Sequence, residues 1–389
     1  MPTYNFDKII DRTHTSCIKY DARSKIFGTE DVTPLWVADM DFEVAPEIAE
    51  AIGKRAQHHV YGYTMRCPEY YATTQKWLKR RYNWEVAENE ISYSPGVVSA
   101  IVMSMLAFTK PGDKVIVQSP VYFPFFSSIE NNGRRILNNT LVPENGSYKM
   151  DFEHLERSID HNTRMMFLCN PHNPVGRSWT KDELTKLASI AEKNNIMVVS
   201  DEIHADILFS GHTHTPFASV SAYAKENTIT CMAPSKTFNL AGLSTSIVVI
   251  QNSKILRTYN QMLDNYHIGL TNPFGLEALK AAYQKGDVWL EALLVYLEGN
   301  RDYVYSFINE NIKGVEAYLP ESTFLMWLDF RKLGLSDREV QKRLVDDAGI
   351  GLSGGAMFGE GGSGFQRLNF GCPRSVLENT MERLADTFK

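Results

Sequence analysis

No apolar run in this chain approaches the roughly 20 residues that a membrane-spanning helix requires, which sets aside a membrane partner. No block or stripe of lysine and arginine occurs, and the net charge is -6, so the charge pattern does not fit a nucleic-acid partner. Cysteine is scarce. Cys17, Cys67, Cys169, Cys231 and Cys372 are scattered, odd in number and never closely paired. That spacing argues against a metal site and points to a reducing compartment. Met1 to Asp11 carry no apolar core of a secretory leader. Internal repeats and low-complexity tracts are absent as well. The expectation is a cytoplasmic, globular protein.

What is present fits that frame. The chain has 389 residues, 43% apolar and 22% charged, enough for two domains with ordinary cores. Between about 95 and 250, apolar strand-like runs alternate with helical patterns, which means a mostly parallel sheet flanked by helices. The expected strands are 114–118, 134–142, 164–169, 196–200, 228–232 and 245–250. Helices are expected over 46–58, 70–81 and 97–108, and Thr180 with Glu183 forms a capping box that starts another. Beyond about 285 the pattern changes to a long helix over 289–309, a strand over 324–330, a helix over 336–346 and a strand over 366–370. Gly351 to Gly364 reads as a mobile glycine-rich loop. The expected division is a large domain over 48–285 and a smaller α+β domain made of 1–47 and 286–389.

The chemistry gathers around Ala233-Pro234-Ser235-Lys236-Thr237-Phe238-Asn239. The run Thr228 to Met232 before it is strand-like, so Lys236 sits in a turn past a strand's carboxyl end, where open α/β sheets bind ligands. A partly desolvated lysine there has a lowered pKa and serves as nucleophile or base. Tyr122, Asn173 and Asp201 also follow expected strands and share that rim. Such a set suits pyridoxal phosphate: a lysine to bond the aldehyde, a carboxylate for the pyridinium nitrogen, an amide for the phenolate and a tyrosine to stack on the ring. Gly96, Val97 and Val98 open a helix whose free N–H groups, with Ser235, can hold a phosphate. Trp36 and Ala38 belong to a segment, Leu35 to Phe42, in which acids alternate with apolar residues and which could line a pocket.

The motifs LWVADMDF, GYT, SPGVV, CNPHNPVGRSW, SDEIHAD, APSKTFNLAGL and RLNFGC occur in that order. Over nearly its whole length the chain thus resembles the fold-type-I pyridoxal-phosphate enzymes of the aspartate aminotransferase superfamily, and within them the MalY/PatB group of cystathionine β-lyases, or C–S lyases. The resemblance implies that Lys236 carries the cofactor, Asp201 partners its ring nitrogen, Tyr122 stacks and Asn173 meets the phenolate. It gives Arg367 the substrate α-carboxylate, a task suited to the two-pronged guanidinium. It implies a homodimer in which Tyr61 reaches the phosphate of the neighbouring site. Many aminotransferases have a phosphate-binding arginine eight residues after the lysine, where this chain has Ser244. The implied reaction is β-elimination from cystathionine or another S-substituted cysteine, giving a thiol, pyruvate and ammonia. An aminotransferase on the same scaffold is the alternative, and an added contact with a transcription regulator is a third possibility. His204 and Glu202 read as groups behind the site, with His204 supporting the Asp201 carboxylate. His172 reads as a loop residue.

Overall fold

The computed structural model describes residues 4–389. At its centre lie seven strands: β1 (Ile91–Ser94), β2 (Lys114–Val117), β3 (Arg135–Asn138), β4 (Thr163–Cys169), β5 (Met197–Asp201), β6 (Thr228–Met232) and β7 (Ser246–Val249). Their spatial order is β1-β7-β6-β5-β4-β2-β3. Neighbours pair in parallel except at β7, which runs antiparallel to both β1 and β6. The principal helices are α1 (Pro46–Ala56), α2 (Pro68–Tyr82), α3 (Val97–Phe108), α4 (Lys181–Lys193), α5 (Ser253–Asn265), α6 (Pro273–Lys285), α7 (Asp287–Asn311) and α8 (Arg374–Thr387).

Helices on both faces explain why the strands are continuous apolar runs rather than alternating ones. Successive residues of β4 serve opposite faces, as the pleat requires. Met165 and Phe167 pack with Ala100, Ile101 and Met105 of α3 and Tyr259 and Leu263 of α5. Met166 and Leu168 pack with Leu184, Leu187 and Ala191 of α4. The capping box at the start of α4 forms as expected: Thr180 Oγ1 accepts from Glu183 N, and a Glu183 carboxylate oxygen accepts from Thr180 N.

A second sheet, wholly antiparallel, contains β8 (Glu316–Tyr318), β9 (Leu325–Asp329), β10 (Ser353–Gly354) and β11 (Phe365–Asn369) in the order β8-β9-β11-β10. Met326, Leu328 and Leu368 of this sheet share a core with Leu290, Leu293 and Leu297 of α7 and Leu377 and Met381 of α8. The same core continues to α2 and α6, where Trp77 stacks on Tyr283 with ring centroids 4.5 Å apart. Among the described residues, no helix is long and apolar enough to cross a membrane.

Three expectations need correction. The single strand over 134–142 is two. β3 ends at Asn138, and Val142–Glu144 pairs in a separate hairpin with Ser147–Lys149. Between them Asn138 binds Thr140 Oγ1, and Asn139 binds Asp151 O, so polar side chains turn the chain off the sheet edge. Lys236 lies in a one-turn helix, Pro234–Thr237, because Pro234 fits the first helical position. The 351–364 segment is not a free loop: Ser353 and Gly354 pair with β11, Leu352, Gly355 and Phe358 are buried, and Phe358 O accepts from Val121 N. The strand at 91–94 and the helices α5, α6 and α8 were not foreseen; the strand shows itself by pairing with β7, whereas α5 carries a helical signal in its Asn252 cap and the spacing of Ile255, Tyr259 and Leu263.

The packing of that segment leaves no room at one glycine. A Cβ on Gly355 would lie 2.1 Å from the Gly362 carbonyl oxygen and 2.6 Å from that of Phe365. Gly355→Ala should therefore cost about 1–3 kcal/mol, the usual range for overpacking. A urea midpoint equal to that of the wild type would show that the backbone of 355–365 yields freely.

Candidate active site

Parallel pairing puts the carboxyl ends of β2, β4, β5 and β6 on one rim; antiparallel β7 starts at that rim, and β1, antiparallel to β7, ends there. The residues just beyond these ends therefore meet. A cavity of about 390 Å³ is lined by Gly96, Val97 and Val98 after β1, Tyr122 after β2, Asn173 after β4, Asp201 at the end of β5 and Lys236 after β6. Ser244 and Thr245, just before β7, join them. The opposite wall comes from Trp36, Val37 and Ala38 and from Ser353, Met357 and Arg367.

The hydrogen bonds draw the charged groups together. Lys236 Nζ donates to Ala38 O at 2.5 Å. Arg367 donates to Asn173 Oδ1 at 3.0 Å and to Trp36 O at 2.7 Å. Asp201 accepts from Ile203 N at 3.2 Å. Little water reaches these groups. Burial lowers Lys236 to about 8, against the opposing pull of Asp39 and Asp201. Burial also raises Asp201 to about 7, although the Ile203 N–H and Lys236 favour its anion. Burial brings Arg367 down to about 10 and, aided by the Asp201 charge, takes Tyr122 up to about 12. Several buried polar atoms at or beside the cavity have no partner among the described residues: Thr245 Oγ1, His204 Nδ1 and Arg367 Nε. At the start of α3, Gly96 gives no side-chain cap, so its first N–H groups are free.

Among the residues expected from sequence, Lys236, Asp201, Asn173, Tyr122, Arg367, Gly96, Val97, Val98, Ser235, His204, Trp36 and Ala38 all line this cavity. Tyr61 does not. Its ring is exposed, lies beside Phe274, and its hydroxyl donates to Ala56 O. His204 makes no hydrogen bond to Asp201; burial and the Lys236 charge push its pKa well below the usual value, which keeps it neutral. Glu202 points away from the cavity and binds Ser200 Oγ, Phe217 N and His214 Nε2. His172 is buried outside the cavity, edge-on to Trp179. Thr245, Ser353 and Met357 were missed. Thr245 could have been found by asking where an antiparallel strand begins; the other two carry no local signal.

A lysine, a carboxylate and a guanidinium around one cavity at the carboxyl rim of a mostly parallel sheet define a doubly wound α/β enzyme of the aminotransferase type. The family model for aminotransferase class I and II matches residues 30–384, and the chain belongs to that family. It is 42% identical over 381 residues to cystathionine beta-lyase PatB of Bacillus subtilis (strain 168), with 98% of each chain covered. A pyridoxal-phosphate-bound crystal structure from Clostridium difficile 630, provisionally assigned as an aminotransferase, matches with TM-score 0.97, 44% identity and 100% of both chains covered. Cystalysin from Treponema denticola, which contains pyridoxal 5'-phosphate, matches with TM-score 0.96, 37% identity and 99% of both chains covered.

The raised Asp201 value has a consequence for stability. Between 3.8 and about 7 the folded chain keeps a proton on Asp201 that the unfolded chain has lost. Stability contributed by this group therefore falls as pH rises through that window. Asp201→Asn removes the titration. In cofactor-free protein the variant should exceed the wild type by about 1–4 kcal/mol at pH 8, with the margin narrowing as pH falls toward 4. Thermal melts of both proteins across pH provide the check; an equal margin at pH 5 and pH 8 would contradict the raised value.

Proposed function

We propose that this protein is a pyridoxal-phosphate-dependent carbon–sulfur lyase that eliminates a thiol from cystathionine or a related S-substituted cysteine. One observation carries the reading. Lys236, Asp201 and Arg367 face one another in a single cavity, with no other lysine, arginine or acid among its described lining residues. The relatives named as cystathionine beta-lyase support the reaction type.

The residues suit the cofactor. The free N–H groups of Gly96 to Val98, with Ser235, Ser244 and Thr245, form a cradle for a phosphate at a helix N-terminus. Thr245 Oγ1, otherwise without a partner, would gain one there. Asn173 turns its carbonyl to Arg367, which leaves its amide N–H groups for a phenolate oxygen. Tyr122 offers a ring face. Asp201 would hold a proton at the pyridine nitrogen. When bound, pyridoxal phosphate supplies an electron sink for charge that develops at the substrate α-carbon.

The chain's own part then follows. Arg367 takes the α-carboxylate in a charge-assisted pair. Lys236, made less basic by burial, removes the α-proton at Nζ as general base. The Cβ–S bond breaks, and the sulfur leaves with the bonding pair. Thiols are fairly acidic, so thiolate is a good leaving group. Water then converts the remaining three-carbon fragment to pyruvate and ammonia. With cystathionine, homocysteine, pyruvate and ammonia should appear in equal amounts without an added keto acid. Turnover that requires a keto acid and releases no thiol would make the protein an aminotransferase. Lys236→Ala should abolish turnover, and borohydride reduction of the wild-type holoprotein should map the pyridoxyl mass to Lys236 and to no other lysine.

The reading extends to assembly and setting. Tyr61 lies on an exposed loop with Tyr63 and Met65, outside this chain's own cavity. We take the working unit to be a homodimer in which Tyr61 reaches the partner's phosphate site. Tyr61→Phe and Lys236→Ala proteins should each be defective, and mixing them should restore one intact site per heterodimer. A fully active monomer by sedimentation would end the idea. The division into 48–285 and 1–47 with 286–389 would put the cavity between the two domains. All five cysteines are free, which supports a reducing, cytoplasmic setting.

A further inference from the structure

The segment Trp36–Asp41 forms a strap across the cavity, and two site groups hang on its carbonyls. Arg367 donates to Trp36 O at 2.7 Å, and Lys236 donates to Ala38 O at 2.5 Å. The acids of the strap point the other way. Arg12 binds Asp39 at 2.8 Å and Asp41 at 2.6 Å. Lys19 binds Asp41 at 2.7 Å and lies 3.7 Å from Asp39. Lys19 is 0% exposed and Asp41 4%, while the Arg12 and Asp39 side chains are 21% and 20% exposed, so the ion cluster runs from the interior toward the surface. Its charges balance two against two, which is the condition under which buried ions are tolerated. Lys19 also fixes the strap through its backbone, since its carbonyl accepts from Trp36 Nε1 at 3.0 Å.

We propose that Arg12 and Lys19 are positioning residues of the site: by pairing with Asp39 and Asp41 behind the strap, they hold the carbonyls of Trp36 and Ala38 where Arg367 and Lys236 are aimed into the cavity. A buried ion cluster adds little net stability compared with apolar packing, but removing one member leaves uncompensated charge. The strap is where that imbalance would be relieved, by a shift of its backbone. A shift of one or two ångströms there displaces both site groups together. Asp39 matters in a second way, because its charge favours the ammonium form of Lys236, together with Asp201 and against Arg367. His204, the other titratable group that feels Lys236, stays neutral. Loss of the Arg12 cation would leave Asp39 less screened and raise the basicity of Lys236.

The proposal rests on the roles given above to Lys236 and Arg367, so its test includes a measurement that needs neither cofactor nor turnover. In cofactor-free protein, competitive acylation read by mass spectrometry gives the pH at which the Lys236 amine becomes reactive. In holoprotein, KM and kcat for cystathionine are measured separately. Arg12→Gln should move the Lys236 reactivity curve to higher pH and raise KM about tenfold, the size expected for losing one charged hydrogen bond's worth of orientation at Arg367, with a smaller loss in kcat. Lys19→Met should do the same if Arg12→Gln fails to fold. Arg12→Lys restores the charge without the fork and should recover the Lys236 curve and part of KM. Thr180→Ala, which removes the cap of α4 far from the strap, should lower Tm and leave both readouts at wild-type values. Arg12→Gln and Lys19→Met proteins with lowered Tm but wild-type KM and an unmoved Lys236 curve would overturn the proposal. If wild-type protein does not cleave cystathionine yet the Lys236 curve still moves with Arg12, the functional reading fails and the positioning role stands.

Discussion

Parallel pairing of strands is the constraint on which the rest of this structure depends. A strand paired in parallel with its neighbour must end where the neighbour ends, so residues far apart in sequence are delivered to one edge. Asp201 ends β5, Lys236 follows β6, Asn173 follows β4, and each reaches the cavity by that rule alone. Antiparallel β7 obeys the same geometry in reverse and brings its start, Ser244 and Thr245, to the edge where the others finish. The flanking helices are needed to bury both faces. Their apolar contacts fix the sheet, and the sheet fixes the rim.

Burial then sets the electrostatics. Lysine, aspartate and arginine pKa values all move toward the neutral form, because desolvation is the largest influence on each. The thiols of Cys169 and Cys231 are pushed up by the same cause, which removes them as nucleophiles although Cys169 borders the cavity. His204 is driven down and stays neutral. The low dielectric therefore does not single out one catalytic group. It leaves a lysine that can act as a base near neutral pH and an aspartate close to its own titration point, and a cationic partner in the cavity would draw that aspartate toward its anion.

How much of this was legible in the sequence follows from how local each signal is. β6 is a run of apolar and β-branched residues with Pro234 after it, and β4 ends at two Asn-Pro steps, so the positions of Lys236 and Asn173 could be read from short windows. The capping box at Thr180 is likewise local. Arg367 could not be reached that way, since nothing near it in sequence points at the rim, and it was assigned by resemblance. Ser353 and Met357 belong to a glycine-rich segment that reads as loose. Its order comes from pairing with β11 and from the Gly355–Gly362 contact, neither of which leaves a periodic trace. The pairing of Asp39 and Asp41 with Arg12 and Lys19 spans two one-turn helices, Ile18–Asp21 and Arg23–Phe27, and the irregular chain around them, so no spacing rule announces it. Tyr61 is the converse case, a residue singled out by motif that a single chain leaves outside its own site.

Arg367 shows what the cavity lacks. Its guanidinium is buried, yet its hydrogen-bond partners are a side-chain amide, a backbone carbonyl and a serine hydroxyl, all of them neutral. Nε has no partner at all among the described residues. A buried cation held only by neutral acceptors is under-satisfied, which is why burial lowers its pKa despite those three bonds. A carboxylate placed between its two prongs would supply the missing charge and form shorter, stronger hydrogen bonds than those it displaces. Lys236 is in a similar position, with a carbonyl as its direct partner and its nearest anions set back at Asp39 and Asp201. The fold thus brings these charges out of water and leaves them without full neutralisation inside the chain. The chemistry that completes them is an α-carboxylate for the arginine and a carbonyl carbon for the amine, which is the pairing an amino-acid substrate and an aldehyde cofactor would bring.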